Sequence, residues 1–158
     1  MTAISEPIVK FLVEAKLNTY AAQGDDASVT PLLPGSRQLE YGDGPLFYRD
    51  VYFGVAYFVG QETVYNDERP CWSMSYAGGV EKNITTNDEM RNTYIFLRTA
   101  LRQVSTAHVF RGPSEFKDNG FEYKNVFEGD FNSFHGTEVI TRNSQVVYTL
   151  YYGGGTVR

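Results

Sequence analysis

The sequence predicts an α+β fold: two tandem helix-plus-four-strand repeats related by a pseudo-two-fold, forming a curved, mostly antiparallel sheet, or two packed sheets, with two helices. The first observation behind this is an internal match. Phe58 to Gly79 reads FVGQETVYNDERPCWSMSYAGG and, 76 positions on, Phe134 to Gly155 reads FHGTEVITRNSQVVYTLYYGGG without a gap. Six of the 22 positions are identical: Phe58/Phe134, Gly60/Gly136, Glu62/Glu138, Tyr76/Tyr152, Gly78/Gly154 and Gly79/Gly155. The second is the supply of twelve Tyr and eleven Phe, residues that favour pleated, half-buried surfaces. The third is a pair of apolar stripes at helical spacing, one ahead of each set of strands.

Ser5-Glu6-Pro7 reads as a helix start, with a capping hydroxyl, an early carboxylate and a proline in the first turn. Ile8, Phe11, Leu12 and Ala15 follow as one stripe, and Asn18 is a stop. Residues 22–37, rich in Gly, Asp, Ser and Pro, read as a long loop, either a binding lid or a mobile segment. Strand segments then run through Leu39–Tyr41 and Leu46–Phe53, which Gly54 ends. Phe58–Tyr65 and Cys71–Ala77 form a hairpin around Asn66-Asp67-Glu68-Arg69. Trp72, Met74 and Tyr76 share one face of its second arm, and Cys71, Ser73 and Ser75 the wetter one. Thr86 with Glu89 three residues on is a capping box, opening a helix whose buried stripe is Met90, Thr93, Leu97, Ala100, Leu101 and Val104.

The second strand set follows Arg111-Gly112-Pro113 at an offset of 75, pairing Tyr48 with Tyr123, Asp50 with Asn125 and Gly54 with Gly129. One extra residue within Asp130–Ser133 reads as a bulge or longer turn. The 158 residues are thus expected to form a single domain of two repeats, about 5–80 and 86–157.

A net charge of -5 and an isoelectric point near 5.0 remove the broad basic field that direct nucleic-acid binding needs. Cys71 is the single cysteine, so no internal disulfide forms. No secretory h-region and no apolar run of membrane-spanning length is present, and a cytoplasmic location without membrane contact is expected.

The run Phe11-Leu12-Val13-Glu14-Ala15-Lys16 with Asn18-Thr19-Tyr20, then Pro34-Gly35-Ser36, Tyr48, Asp50, Gly54, Gly60, Glu62, Trp72, Met74, Tyr76 and Gly78, resembles a bacterial domain family of unknown function. Phe110-Arg111-Gly112-Pro113 and Gly129-Asp130-Phe131 fit the same likeness. The family occurs alone and as the C-terminal domain of helix-turn-helix (XRE-type) regulators. This sequence is read as starting directly at that domain, without the helix-turn-helix. The resemblance carries over no activity.

Motifs for cofactors are missing. There is neither a phosphate loop nor a dinucleotide fingerprint, and Gly78-Gly79 and Gly153-Gly154-Gly155 read as turn glycines that end strands. His108, His135 and Cys71 show no metal-ligand spacing, so no metal and no cofactor is expected. Candidate ligand-binding residues are Asp50, a polar group within the aromatic run Phe47, Tyr48, Tyr52 and Phe53, together with Tyr52 itself and the aromatic set Trp72, Tyr76, Tyr148 and Tyr152. Glu62 and Glu138 point inward by strand alternation. They are expected to be structural, held by local backbone N–H groups or by a bulge near the preceding glycine. The leading expectation is a non-enzymatic binding domain for a small-molecule effector or a protein partner. The alternative is an enzyme using carboxylates (Glu62, Glu138 or Asp50) and tyrosines in the cleft between the repeats.

Overall fold

The computed structural model describes residues 5–22 and 28–158. In chain order the elements are α1 (Ser5–Asn18), β1 (Arg37–Asp43), β2 (Leu46–Gly54), β3 (Tyr57–Asn66), β4 (Arg69–Val80), α2 (Asn87–Leu101), β5 (Glu115–Asp118), β6 (Phe121–Asp130), β7 (Ser133–Arg142) and β8 (Gln145–Thr156). All eight strands belong to one antiparallel sheet of order β1-β2-β3-β4-β8-β7-β6-β5. The expectation of two tandem repeats, or of two packed sheets, is therefore corrected. Trp72–Val80 of β4 pairs directly with Tyr148–Thr156 of β8, which joins the strands into a single ladder. That pairing satisfies the β4 and β8 edges and leaves β1 and β5 as the outer strands.

The glycines explain how the two central strands come together. Gly78 lies opposite Leu150, and Gly154 opposite Met74. A Cβ on Gly78 would collide with the Thr149 carbonyl, and one on Gly154 with the Ser73 carbonyl. Both glycines, read from the sequence as turn residues, lie inside strands and permit close approach. The tight turns fall elsewhere. Asp67-Glu68 (φ 46° and 65°) and Asn143-Ser144 (φ 50° and 64°) each take two consecutive left-handed residues, which matches the twist of a two-residue hairpin.

Alternation sends Tyr48, Val64, Trp72, Met74, Tyr148, Leu150, Ile140 and Tyr123 to one sheet face, where all are fully buried. Both helices cover this face. α1 packs Ile8, Phe11, Leu12 and Ala15 into the core beside β1 and β2. α2 starts at the capping box: Glu89 N donates to Thr86 Oγ1, and Thr86 N to a Glu89 carboxylate oxygen, each at 3.2 Å. It then buries Thr93, Phe96, Leu97, Ala100 and Leu101, with the Phe96 ring stacked 4.9 Å from Phe121.

Of the 22–37 loop, residues 23–27 lie outside the described residues. Ser28 bridges to Leu39 and Val29 N donates to Gln38 O, so the segment from Ser28 onward runs beside β1. Among the described residues no helix is long and apolar enough to cross a membrane.

Candidate functional site

The register of the sheet creates the site. Asp50 on β2 lies directly opposite Glu62 on β3, and Asn125 on β6 lies opposite Glu138 on β7. All four face the helices and are buried. Glu138 is saturated. Arg111 reaches it in a two-pronged pair, Nε to Oε2 at 3.1 Å and Nη2 to Oε1 at 2.9 Å. Tyr123 donates to Oε2 at 2.6 Å and Tyr148 to Oε1 at 2.8 Å. Such charge-assisted, bidentate bonding is what a buried carboxylate requires.

Glu62 is less well supplied. Its one ionic partner among the described residues is Lys16 of α1, with Nζ 3.1 Å from Oε2 while donating to the Phe110 carbonyl at 2.6 Å. No well-aligned hydrogen bond to Glu62 occurs among the described residues, and the buried hydroxyls of Tyr20 and Tyr48 have no partner there. Burial pulls the Lys16 ammonium below its ordinary pKa, against the opposing pull of Glu62. The glutamates were expected to lean on backbone N–H groups or on a bulge near the glycine. Instead cations from α1 and from the segment before β5 hold them, and the bulges fall later, at Val64/Tyr65 and Ile140/Thr141. Nor do the two glutamates form a dyad, because β4 and β8 lie between them.

The carboxylate pair is Asp50 with Glu62, and it leaves its mark on Asp50. Burial first, and then the Glu62 charge opposite, push the Asp50 carboxyl up to about 7, although the Tyr76 hydrogen bond, Arg111 and Lys16 oppose the shift. Tyr76 donates to Asp50 Oδ1 at 2.6 Å. Its ring is aimed there by Gly60, its cross-strand partner, where any Cβ would strike the ring and hydroxyl. Across the sheet, Tyr152 makes the same 2.6 Å bond to Asn125 Oδ1 without a second carboxylate charge in the pair.

Two expected outcomes follow from this geometry. A carboxyl whose pKa rises on folding contributes stability that is full below the unfolded value and is lost as pH rises through the folded one. Stability is therefore expected to fall as pH rises through about 7, a drop that Asp50→Asn removes. Urea unfolding at pH 5.5, 7 and 8.5 measures it, and a wild-type profile identical to that of Asp50→Asn would contradict it. Gly60→Ala forces the Tyr76 ring off Asp50 and is expected to cost about 1–3 kcal/mol. Equilibrium unfolding together with the NMR signal of the Tyr76 hydroxyl proton checks this; an unchanged hydroxyl signal would contradict it.

Beside this network is a cavity of about 550 Å³, between the helix-covered sheet face, the residues ending α1 and the side of α2. Asp50, Tyr76 and Arg111 form its buried end. Tyr52, Phe58 and Tyr94 form an aromatic wall, the Phe58 ring lying 6.5 Å from Tyr52 and 6.1 Å from Tyr94. Arg37 and Arg98 are exposed on its rim. The Arg111 guanidinium lies 5.4 Å from the centre of the Tyr20 ring and 5.6 Å from that of Tyr76, which fixes it against aromatic faces.

Three of the residues singled out from sequence, Asp50, Tyr52 and Tyr76, line this cavity. Trp72 does not: it is fully buried and stacked on Phe131 and Phe134, each 5.7 Å away. Tyr148 is occupied with Glu138, and Tyr152 with Asn125. Glu62 and Glu138 lie beneath the cavity and do not line it. Sequence reasoning did not select Arg111, Phe58, Tyr94, Arg37 or Arg98. Lys16 carried a usable signal, since it falls four residues after Leu12 and eight after Ile8, on the apolar stripe of its helix. Among the described residues no group of three or more His, Cys, Asp or Glu converges as a metal site. His135 is exposed, 3.7 Å from Glu128.

A family profile described as Domain of unknown function (DUF5680) matches residues 50–157. No curated protein and no solved structure matches the chain.

Proposed function

We propose that this chain, which belongs to the family described as Domain of unknown function (DUF5680), is a binding domain for a small organic molecule held in the cavity between the sheet and its helices. The observation that carries this reading is the convergence of Asp50, Tyr76 and Arg111 at the buried end of a 550 Å³ space walled by Tyr52, Phe58 and Tyr94. A concave space with aromatic and aliphatic walls and a few convergent, fixed polar groups is the usual setting of a small-molecule site. The polar groups are positioned before any ligand arrives: Tyr76 by Gly60 and Asp50, and Arg111 by Glu138 and two aromatic rings. Binding therefore costs little reordering of this end.

The test is a fluorescence titration with N-phenyl-1-naphthylamine, a neutral aromatic probe that needs only an apolar cavity. Saturable enhancement with one-to-one stoichiometry is expected. A linear, unsaturated response, or several equivalents bound, contradicts an enclosed site.

A second reading is supported by one observation. Asp50, which lines the cavity and hydrogen-bonds Tyr76, has its carboxyl pushed up to about 7, where it serves equally as acid or base. Of the three carboxylates first considered for catalysis, it alone has access to the cavity. Turnover of a bound ligand that is lost in Asp50→Asn while binding survives would favour this enzymatic reading.

A further inference from the structure

The charges around the cavity are uneven. The chain as a whole is acidic, with a net charge of -5, yet among the described residues three arginines and one carboxyl, Asp50, line this space. Arg111 at the buried end is committed to Glu138. Arg37, at the start of β1, and Arg98, on the exposed side of α2, are not committed: among the described residues neither forms an ion pair or a side-chain hydrogen bond. By comparison, Arg91 pairs with Asp88 at 3.0 Å, the half-buried Arg49 pairs with Glu40 at 2.9 Å, and Arg142 lies over the Phe121 ring at 4.8 Å. The buried end differs again. Asp50 gives Oδ1 to Tyr76, its Oδ2 has no protein partner among the described residues, and the side chain borders the cavity. The site is thus polarised: two guanidinium groups at the mouth, an aromatic wall along the middle, and a hydrogen-bonding carboxyl within.

We propose that the ligand is a flat organic anion, its carboxylate or phosphate held at the mouth by Arg37 and Arg98, its ring system against Tyr52, Phe58 and Tyr94, and a hydroxyl or carbonyl group reaching Asp50. This rests on the small-molecule reading of the cavity and adds the chemical class of the ligand. Guanidinium groups suit the planar, two-oxygen edge of such anions better than ammonium groups do. The aromatic wall rewards a planar body. Asp50 adds a polar requirement at the far end, donating a hydrogen bond when protonated and accepting one when ionised.

The test compares two probes with the same ring system: 1-anilinonaphthalene-8-sulfonate, which carries an anionic group, and neutral N-phenyl-1-naphthylamine. Both are titrated at low ionic strength into the wild-type chain and into the Arg37→Ala/Arg98→Ala double variant. Both replaced residues are exposed, and an unchanged thermal midpoint confirms that the variant is folded. The sulfonate probe is expected to bind about tenfold more tightly than the neutral one to wild type, a preference lost in the double variant and at high salt while the neutral probe's affinity stays constant. Equal affinities for the two probes, or an anion preference that survives the double substitution, overturns the inference and leaves the cavity reading standing. If the neutral probe fails to bind saturably, the cavity reading itself fails, and the inference with it.

Discussion

Arg111→Ala is expected to destabilise the fold by about 3–5 kcal/mol, because it leaves the Glu138 charge buried without its cation. Glu138 has no solvent exposure, and Tyr123 and Tyr148 alone remain to it. Two neutral donors stabilise a carboxylate but do not balance its charge. Combining Arg111→Met with Glu138→Gln removes both charges and recovers most of the stability, since the expense lies in the unpaired charge and not in the missing contact. Urea unfolding of the single and paired variants measures this. A single-variant loss below about 1 kcal/mol, as at an exposed ion pair, would contradict it.

Trp72→Ala is the second large effect, expected at about 3–5 kcal/mol. The indole is fully buried, stacked within 16° of the Phe131 ring and within 14° of Phe134, with the Lys16 ammonium 5.9 Å from its centre. Truncation opens a void against two aromatic rings and the central β4 strand, where backbone pairing on both sides prevents collapse. Because Trp72 does not line the cavity, the affinity for the neutral naphthyl probe is expected to be preserved. An unfolding midpoint close to wild type would contradict the core placement. Loss of probe binding in a folded variant would place Trp72 at the site instead.

The parts of the fold legible in the sequence were those encoded by local period. Ile8, Phe11, Leu12 and Ala15 mark one face of a helix by spacing alone, and Thr86 with Glu89 marks the start of another. The hairpin around Asn66–Arg69 was legible in the same way, from alternation on either side of a polar turn. The joining of β4 to β8 was not, because alternation says which face a residue takes and nothing about which edge finds a partner. In-strand glycines such as Gly78 and Gly154 look identical to turn glycines until the opposing residue is known. The site divides along the same line. Asp50, Tyr52 and Tyr76 stood out by residue type within aromatic strands. Asp50 acquires its perturbed carboxyl only from the residue opposite it, Glu62, which is a matter of register. Arg111 sits outside the regular elements, in a segment whose spatial position no periodicity encodes.

Amide chemical-shift mapping with the neutral naphthyl probe tests the central claim most directly, because it locates binding without disturbing the core. In a ¹⁵N-labelled chain, saturating shifts are expected at Tyr52, Phe58, Tyr76, Tyr94 and Leu97, which line the cavity, with the outward-facing Gln61, Ser75 and Tyr151 unmoved. Shifts confined to those outward-facing strand residues, or spread over the whole sheet, would contradict a binding site between the sheet and its helices.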